Sequence, residues 1–205
     1  MAVTALILYL IFAVLGFGWR SWVQYRQTGS TGFRGISGRP GSLEWLAGIG
    51  FIVSIIVGVA APMLQLLGFT APITFLHDPW IQSLGTVLAA TGIAATVYAQ
   101  LDMGESWRIG VDPSETTTLV RSGVFGLVRN PIFTAMLVFA GGITLMTPNP
   151  VALLAFVMLS ATIELQVRVV EEPYLLRTHG QAYRGYCVSV GRFLPGVGRD
   201  EVTQR

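Results

Sequence analysis

Five apolar stretches, each close to the length that crosses a bilayer, constrain this chain more than any other feature. A membrane-spanning helix needs about 20 consecutive apolar residues. Only 12% of the 205 residues are charged and 52% are hydrophobic, whereas soluble domains carry about 25% charged residues. We therefore expect an integral membrane protein. The stretches are Ala2 to Trp19, Leu43 to about Phe69, Trp80 to Leu101, Pro131 to Thr147 and Val151 to Val167.

Only Pro148-Asn149-Pro150 separates the last two stretches, which predicts a tight helical hairpin. At 1.5 Å per residue, a helix of each stretch reaches about 25 Å, slightly less than an apolar core of about 30 Å. The predicted fold is all-α: a polytopic membrane protein with about five transmembrane helices, a cytoplasmic connecting segment and a C-terminal helix. Pro62 is expected to kink or end the second span.

The basic residues indicate how the spans are oriented. All thirteen are arginines, and they fall in three segments that alternating spans place on one side of the membrane. The positive-inside rule makes that side cytoplasmic, with the N-terminus outside and the C-terminus in the cytoplasm, in a cytoplasmic or inner membrane. The segments are Arg20 to Arg39, Arg108 to Arg129 and Arg168 to Arg205.

Several classes of site are excluded or disfavoured. Cys187 is the only cysteine, so no disulfide forms within the chain, and a small buried thiol is the expected state. His77 and His179 fall on opposite predicted sides of the membrane, which argues against a metal site. Aromatic and basic residues alternate after Tyr174, but this segment follows a span directly and the chain has no broad basic excess. We therefore expect no nucleic-acid partner, and a helix at headgroup level or over a cofactor from Leu175 to Pro195.

Four ionisable side chains interrupt the end of the last apolar stretch. At about 100° per residue, Glu164, Arg168, Glu171 and Glu172 share one helical face. Charges at such a depth usually mark a pathway or an active centre. An ordinary juxtamembrane helix with Glu and Arg paired four residues apart explains the same charges. The charges alone leave both interpretations open.

The last half of the chain resembles the superfamily of isoprenylcysteine carboxyl methyltransferases and phospholipid methyltransferases, which are integral membrane enzymes. The order and spacing of the following pieces together give the resemblance. They are Gly104-Glu-Ser-Trp107-Arg108, Leu119-Val-Arg-Ser-Gly123, Arg129-Asn130-Pro131-Ile132-Phe133, Glu171-Glu172-x-x-Leu175, Gly180-x-x-Tyr183-x-x-Tyr186 and Arg192-Phe193-Leu194-Pro195.

This sequence departs from the family pattern Arg-His-Pro-x-Tyr followed by a small residue. It has Asn130 for His, Phe133 for Tyr and Ala135 for Gly, so no tyrosine hydroxyl is present at position 133. Gly141-Gly142 further along the same helix allows close approach of a ligand or of another helix, and the sequence leaves both open.

The resemblance implies S-adenosylmethionine as methyl donor, bound at the cytoplasmic end of the hairpin under the C-terminal segment. It implies one domain, with three scaffold spans in 1–101, the cofactor-binding and catalytic part in 102–195, and a tail in 196–205. Catalytic roles are expected for Arg168 and Glu172, with Glu164 as a partner of Arg168, and no metal is expected. The implied cofactor-binding residues are Arg129, Asn130, Pro131, Phe133, Glu171, Tyr183 and Tyr186.

The expected acceptor is lipophilic or membrane-associated, and membrane lipids are the expected surroundings. The planar fork of Arg168 suits a carboxylate or phosphate, whereas an amine acceptor needs a carboxylate such as Glu172 or Glu164 to take its proton. A carboxylate, an amine or a thiol acceptor therefore remains open. The alternative is a membrane transporter or structural subunit without enzyme activity that retains the family fold. A transporter more commonly places polar groups near the midplane of several helices, rather than at one end.

Overall fold

A computed structural model describes residues 1–110 and 118–201, and in these residues the fold is helical, with no strand longer than an isolated bridge. The all-α prediction is confirmed. Residues 111–117 of the predicted connecting segment, and 202–205 of the predicted tail, lie outside the described residues. The helices are α1 (Ala2–Thr28), α2 (Leu43–Leu66), α3 (Pro79–Met103), α4 (Pro131–Met146), α5 (Pro150–His179) and α6 (Gln181–Ser189).

Four of these helices are long and apolar enough to cross a membrane, namely α1, α2, α3 and α5. Helix α4 is apolar but has 16 residues, so it reaches only about 24 Å. The chain is a polytopic membrane protein, as its hydropathy predicts. Two helices contain π-helical turns, Ala13–Trp19 in α1 and Gln166–Glu171 in α5.

Local sequence explains where the helices begin. Proline occupies the first turn of α3, α4 and α5, where its missing N–H costs nothing. Side chains of Ser42, Asp78 and Asn149 accept hydrogen bonds from free N–H groups at the starts of α2, α3 and α5. Pro62 does not end α2, which continues through it to Leu66.

Helices α3 and α4 touch through their backbones. A Cβ atom on Gly142 would lie 2.4 Å from the Ala89 nitrogen, and one on Gly92 would lie 2.5 Å from the Phe139 nitrogen. Gly142 therefore serves helix packing, which decides between the two roles left open for it. Beyond α4, the predicted hairpin turn is present. The fully buried Asn149 donates from this turn to the Ala61 carbonyl at 3.2 Å.

The loops between the helices meet on the side where α1, α3 and α5 end. Phe33 forms an isolated parallel β-bridge with Ile109, and Val128 forms another with Gly191. The buried Arg20 of α1 donates to the Gly104 carbonyl and lies 4.7 Å from the centre of the Trp107 ring. These contacts gather three segments far apart in sequence over the ends of the helices.

The predicted C-terminal helix is divided in two. Residues up to His179 continue α5, and the chain turns at Gly180, where φ is +51°, before α6 begins. A side chain at that φ is unfavourable, so glycine permits the turn. Helix α6 is short and packs Tyr183, Tyr186 and Cys187 inward.

Candidate active site

A cavity of about 570 Å³ runs from the loop side of the molecule into the helix bundle. Its size lies within the range usual for ligand pockets. Charged and aromatic side chains line the loop end, and apolar side chains of α1, α2, α4 and α5 line the rest, which we call the deep arm. Loop-end residues include Arg108, Arg129, Asn130, Gln166, Glu171, Glu172, Tyr183 and Tyr186, and deep-arm residues include Tyr9, Phe51, Gly58, Phe139, Ile143, Ala152 and Ala155.

Glu172 is held by two arginines. Arg192 donates from Nε to Oε1 at 2.7 Å and from Nη2 to Oε2 at 3.1 Å, which is the paired geometry that suits a guanidinium and a carboxylate. Arg129 places Nη2 3.4 Å from Oε1 of the same carboxylate. The hydrogen bond to Glu172 raises the pKa of Arg192. The arrangement fixes the direction of the Glu172 carboxylate.

Arg129 is a buried guanidinium with hydrogen-bonding capacity left over. Nη2 donates to the Gly198 carbonyl at 2.8 Å and lies 3.9 Å from Asp200 Oδ1. Within the described part of the chain, its Nε and Nη1 have no hydrogen-bond partner. Burying unpaired guanidinium N–H groups is costly, so the residue suits an anionic ligand in the cavity that it lines.

Glu171 lies beside Glu172 in the cavity wall but has different neighbours. Its carboxylate accepts a hydrogen bond from Gln166 and is attracted by Arg108. Arg108 also stacks over the Tyr174 ring, 5.0 Å from the ring centre. The loop end therefore presents two adjacent acidic side chains: Glu172 is paired with Arg129 and Arg192, and Glu171 lies near Arg108 and Gln166.

Aromatic rings from α6 close the loop end. Tyr183 and Tyr186 are buried, with ring centres 6.2 Å apart and edge-to-face geometry. Tyr186 donates its hydroxyl to the Phe125 carbonyl, and burial raises its pKa to about 12. Burial also raises the pKa of Tyr183 above its ordinary range and that of Cys187, which is a free buried thiol as expected.

The start of α4 joins the C-terminal segment to the cavity. The backbone and side-chain nitrogens of Asn130 each donate to the Arg192 carbonyl at 3.1 Å. Pro131 opens α4, and Phe133 contributes its ring to the cavity wall. Asn130 thus positions the segment that carries Arg192, in addition to lining the cavity.

The predicted single face of four charges is divided in the structure. Glu171 and Glu172 line the cavity, whereas Glu164 and Arg168 form an ion pair with side chains 40% and 55% exposed. Among the described residues, the cavity lining does not include Arg168 or Glu164. A π-helical turn covers 166–171, so the 100° spacing used for the prediction does not hold through it. Glu164 does pair with Arg168, as expected.

Arg192, Arg108 and Gln166 belong to the site, although no site role was predicted for them. Arg192 and Arg108 lie in motifs that carry the family resemblance, and these motifs could have indicated a site role for them. Gln166 lies inside the π-helical turn, and no sequence pattern indicated its contact with Glu171. The deep arm was also not anticipated, and it draws on α1 and α2, which were predicted to be scaffold.

Comparisons with known proteins identify relatives with similar sequences. Residues 80–182 match the family model described as Phospholipid methyltransferase. Protein-S-isoprenylcysteine O-methyltransferase A of Arabidopsis thaliana is 28% identical over 58% of this chain and 61% of its own length. Protein-S-isoprenylcysteine O-methyltransferase B of the same plant is 26% identical over 67% of this chain and 73% of its own length. Because the family model covers half of the 205 residues, including Arg129, Glu171 and Glu172, this chain belongs to the phospholipid methyltransferase family.

Proposed function

We propose that this protein transfers a methyl group from S-adenosylmethionine to a lipophilic acceptor at the cytoplasmic face of a membrane. One observation carries the proposal: a single cavity joins a charged, aromatic end at the loops to an apolar arm between membrane helices. The loop end suits a polar methyl donor, and the apolar deep arm suits a lipid chain. The family to which the chain belongs supports methyl transfer as the reaction.

The residues of the loop end fit the methyl donor chemically. Arg129, whose Nε and Nη1 have no partner among the described residues, suits the carboxylate of the donor's amino acid part. Glu171 suits a cationic group, and the rings of Tyr183 and Tyr186 suit an adenine or a sulfonium. When bound, S-adenosylmethionine supplies a methyl group activated by a positively charged sulfur.

The chain's own contribution is orientation and exclusion of water. Arg192 and Arg129 hold the Glu172 carboxylate in place in the cavity wall. Glu172 keeps the proposed catalytic role: it positions Arg129 at the acceptor, and it takes the proton when the acceptor is an amine or a thiol, because a carboxylate acceptor carries no proton. Arg168 was expected to frame the acceptor together with Glu172, but it lies outside the cavity lining in the described residues. We therefore assign this role to Arg129, which lines the cavity, while Arg192 orients Glu172.

The names of the relatives suggest which acceptor to test first. Both are named as O-methyltransferases of isoprenylcysteine, which carries a carboxylate and a lipid chain. A carboxylate beside an apolar chain also matches the cavity, because the chain would lie in the deep arm. Lipids that carry an amine or a thiol are the next classes of acceptor to test. The arginine distribution supports a cytoplasmic position for the loop end.

A labelling experiment tests the proposal. Purified protein is incubated with methyl-labelled S-adenosylmethionine and native membrane lipids, and the extracted lipids are analysed for label. We expect label in a lipid species, and none with Glu172→Gln. Calorimetry in detergent provides an independent measurement. Absence of cofactor binding at millimolar concentration would exclude the assignment, and labelling of water-soluble acceptors alone would exclude a lipid acceptor.

A further inference from the structure

The deep arm of the cavity ends before buried residues at the far end of α4. Its lining follows α4 from Asn130 to Thr144, a distance of about 21 Å at 1.5 Å per residue. Past Ile143, Met146, Thr147 and Asn149 are fully buried, and Asn149 is hydrogen-bonded to α2. A chain that enters from the loop end therefore meets packed protein before it reaches the far side.

Tyr9 lines the arm near this inner end. Its ring packs edge-to-face on Phe139 of α4, with ring centres 5.2 Å apart and planes at 89°. Its hydroxyl rests against α2 at Gly58, where an added Cβ would lie only 2.4 Å from the oxygen. The tyrosine therefore reaches from α1 to both α4 and α2.

Small residues line the arm beside the Tyr9 hydroxyl. Ala152 and Ala155 of α5 are buried and line the cavity, and Ala155 lies within 3.9 Å of the Cβ position of Gly58. A larger residue at 155 would fill the arm, whereas a smaller residue at 9 would extend it. The depth of the arm thus depends on a few identifiable side chains.

We propose that Tyr9 limits the length of the acceptor chain that this protein accepts. This inference rests on the proposed function, because it places the acceptor's apolar chain in the deep arm. Each added methylene is stabilised by burial until the chain end meets the tyrosine ring, and a longer chain must then fold back or leave the arm. Acceptor preference should therefore rise with chain length and then fall abruptly.

The test uses S-alkylated N-acetylcysteines whose unbranched chains lengthen by two carbons at a time. Two measurements are made for each compound: kcat/KM for methyl transfer, and the shift in unfolding temperature of the detergent-solubilised protein, which does not require turnover. Both should increase with chain length, by about tenfold in kcat/KM per two carbons, up to a cut-off.

The variants move the cut-off in opposite directions. Tyr9→Ala should accept longer chains, Ala155→Leu only shorter ones, and Tyr9→Phe should keep the original cut-off because it keeps the ring. If Tyr9→Ala does not fold, Tyr9→Leu and Ala155→Leu give the same comparison.

The two readouts separate failure of the inference from failure of the proposed function. A moved cut-off in the temperature shifts without any methyl transfer would contradict the carboxylate acceptor proposed above and support the inference. Methyl transfer with a cut-off that no variant moves, or with no cut-off at all, would overturn the inference. Methyl transfer with no cut-off would mean that the acceptor chain leaves the cavity sideways past Ile52 and Ile56, which are exposed and also line the cavity.

Discussion

Arg192 donates two parallel hydrogen bonds to the carboxylate of Glu172, although the two residues lie 20 positions apart in the sequence. The contact connects the end of α5 to the segment that follows α6. It fixes one wall of the cavity and orients the carboxylate that we place at its chemical centre. Its loss should affect function more than folding, because the pair lies at the loop end of the molecule.

We expect Arg192→Lys to lower kcat/KM for methyl transfer by about 10- to 100-fold. An ammonium cannot form both hydrogen bonds to Glu172, and a hydrogen bond to a charged group contributes about 1.5 to 3 kcal/mol. The measurement is initial rate against acceptor concentration. Arg184→Lys, on the exposed side of α6, is the matched control and should retain the parent rate. Equal rates in both variants would contradict a role for the pair.

We expect Arg129→Gln to weaken S-adenosylmethionine binding by about 10- to 100-fold, because the buried guanidinium is the proposed partner of the cofactor carboxylate. Calorimetry in detergent measures the dissociation constant, and thermal unfolding verifies that the variant is folded. Arg168→Gln is the matched control and should bind and turn over like the parent. Inactivation of the Arg168 variant alone would restore the catalytic role that the sequence predicted for it.

We expect Gly142→Ala to destabilise the protein by about 1 to 3 kcal/mol, since its Cβ would overlap the backbone of α3 at Ala89. Gly141→Ala is the matched control. Its Cβ would lie 3.6 Å from the Phe156 ring, an ordinary contact, and alanine favours helix more than glycine. Unfolding in detergent, followed by circular dichroism, compares the two. Equal stability would show that α3 and α4 do not depend on this contact.

We expect stability to fall between about pH 10 and pH 12, in part through Tyr186. Burial raises the pKa of its hydroxyl from the ordinary 10.0 to about 12 in the folded protein. The folded state therefore keeps the proton while the unfolded state loses it, so the stabilisation present below pH 10 is lost as the pH rises. Unfolding temperatures across this range measure the effect.

Tyr186→Phe separates two contributions of that hydroxyl to stability: its hydrogen bond at neutral pH and its loss of a proton in alkaline solution. The variant should be less stable at neutral pH by about 1 kcal/mol, because the hydrogen bond to the Phe125 carbonyl is lost. It should also show a shallower fall in alkaline solution. A variant with the parent's alkaline slope would mean that other groups cause the pH dependence.

The helices could be predicted because hydropathy and length are local properties of the chain. All five predicted spans correspond to helices, and the Pro148-Asn149-Pro150 turn lies where the proline pair indicated. Glu171 and Glu172 line the cavity. Their roles, like those of the other predicted site residues, remain predictions to be tested.

The prediction failed where helix geometry changed. The charged face at the end of α5 was derived from regular α-helical spacing, but the π-helical turn before Pro173 widens the helix and separates Arg168 from Glu172. Nothing in the spacing of the charges reveals such a turn, although a proline, which frees a carbonyl one turn earlier, is a common neighbour of irregular turns.

Local sequence was therefore enough to establish a polytopic helical membrane protein, its spans and the motifs that relate it to a methyltransferase family. Only the packing of the helices brought Arg192 and Arg129 onto Glu172 and opened a cavity as far as Tyr9. The reason is physical. Contacts between distant segments depend on how closely helices approach, as at Gly92 and Gly142, and that distance depends on all the side chains between them.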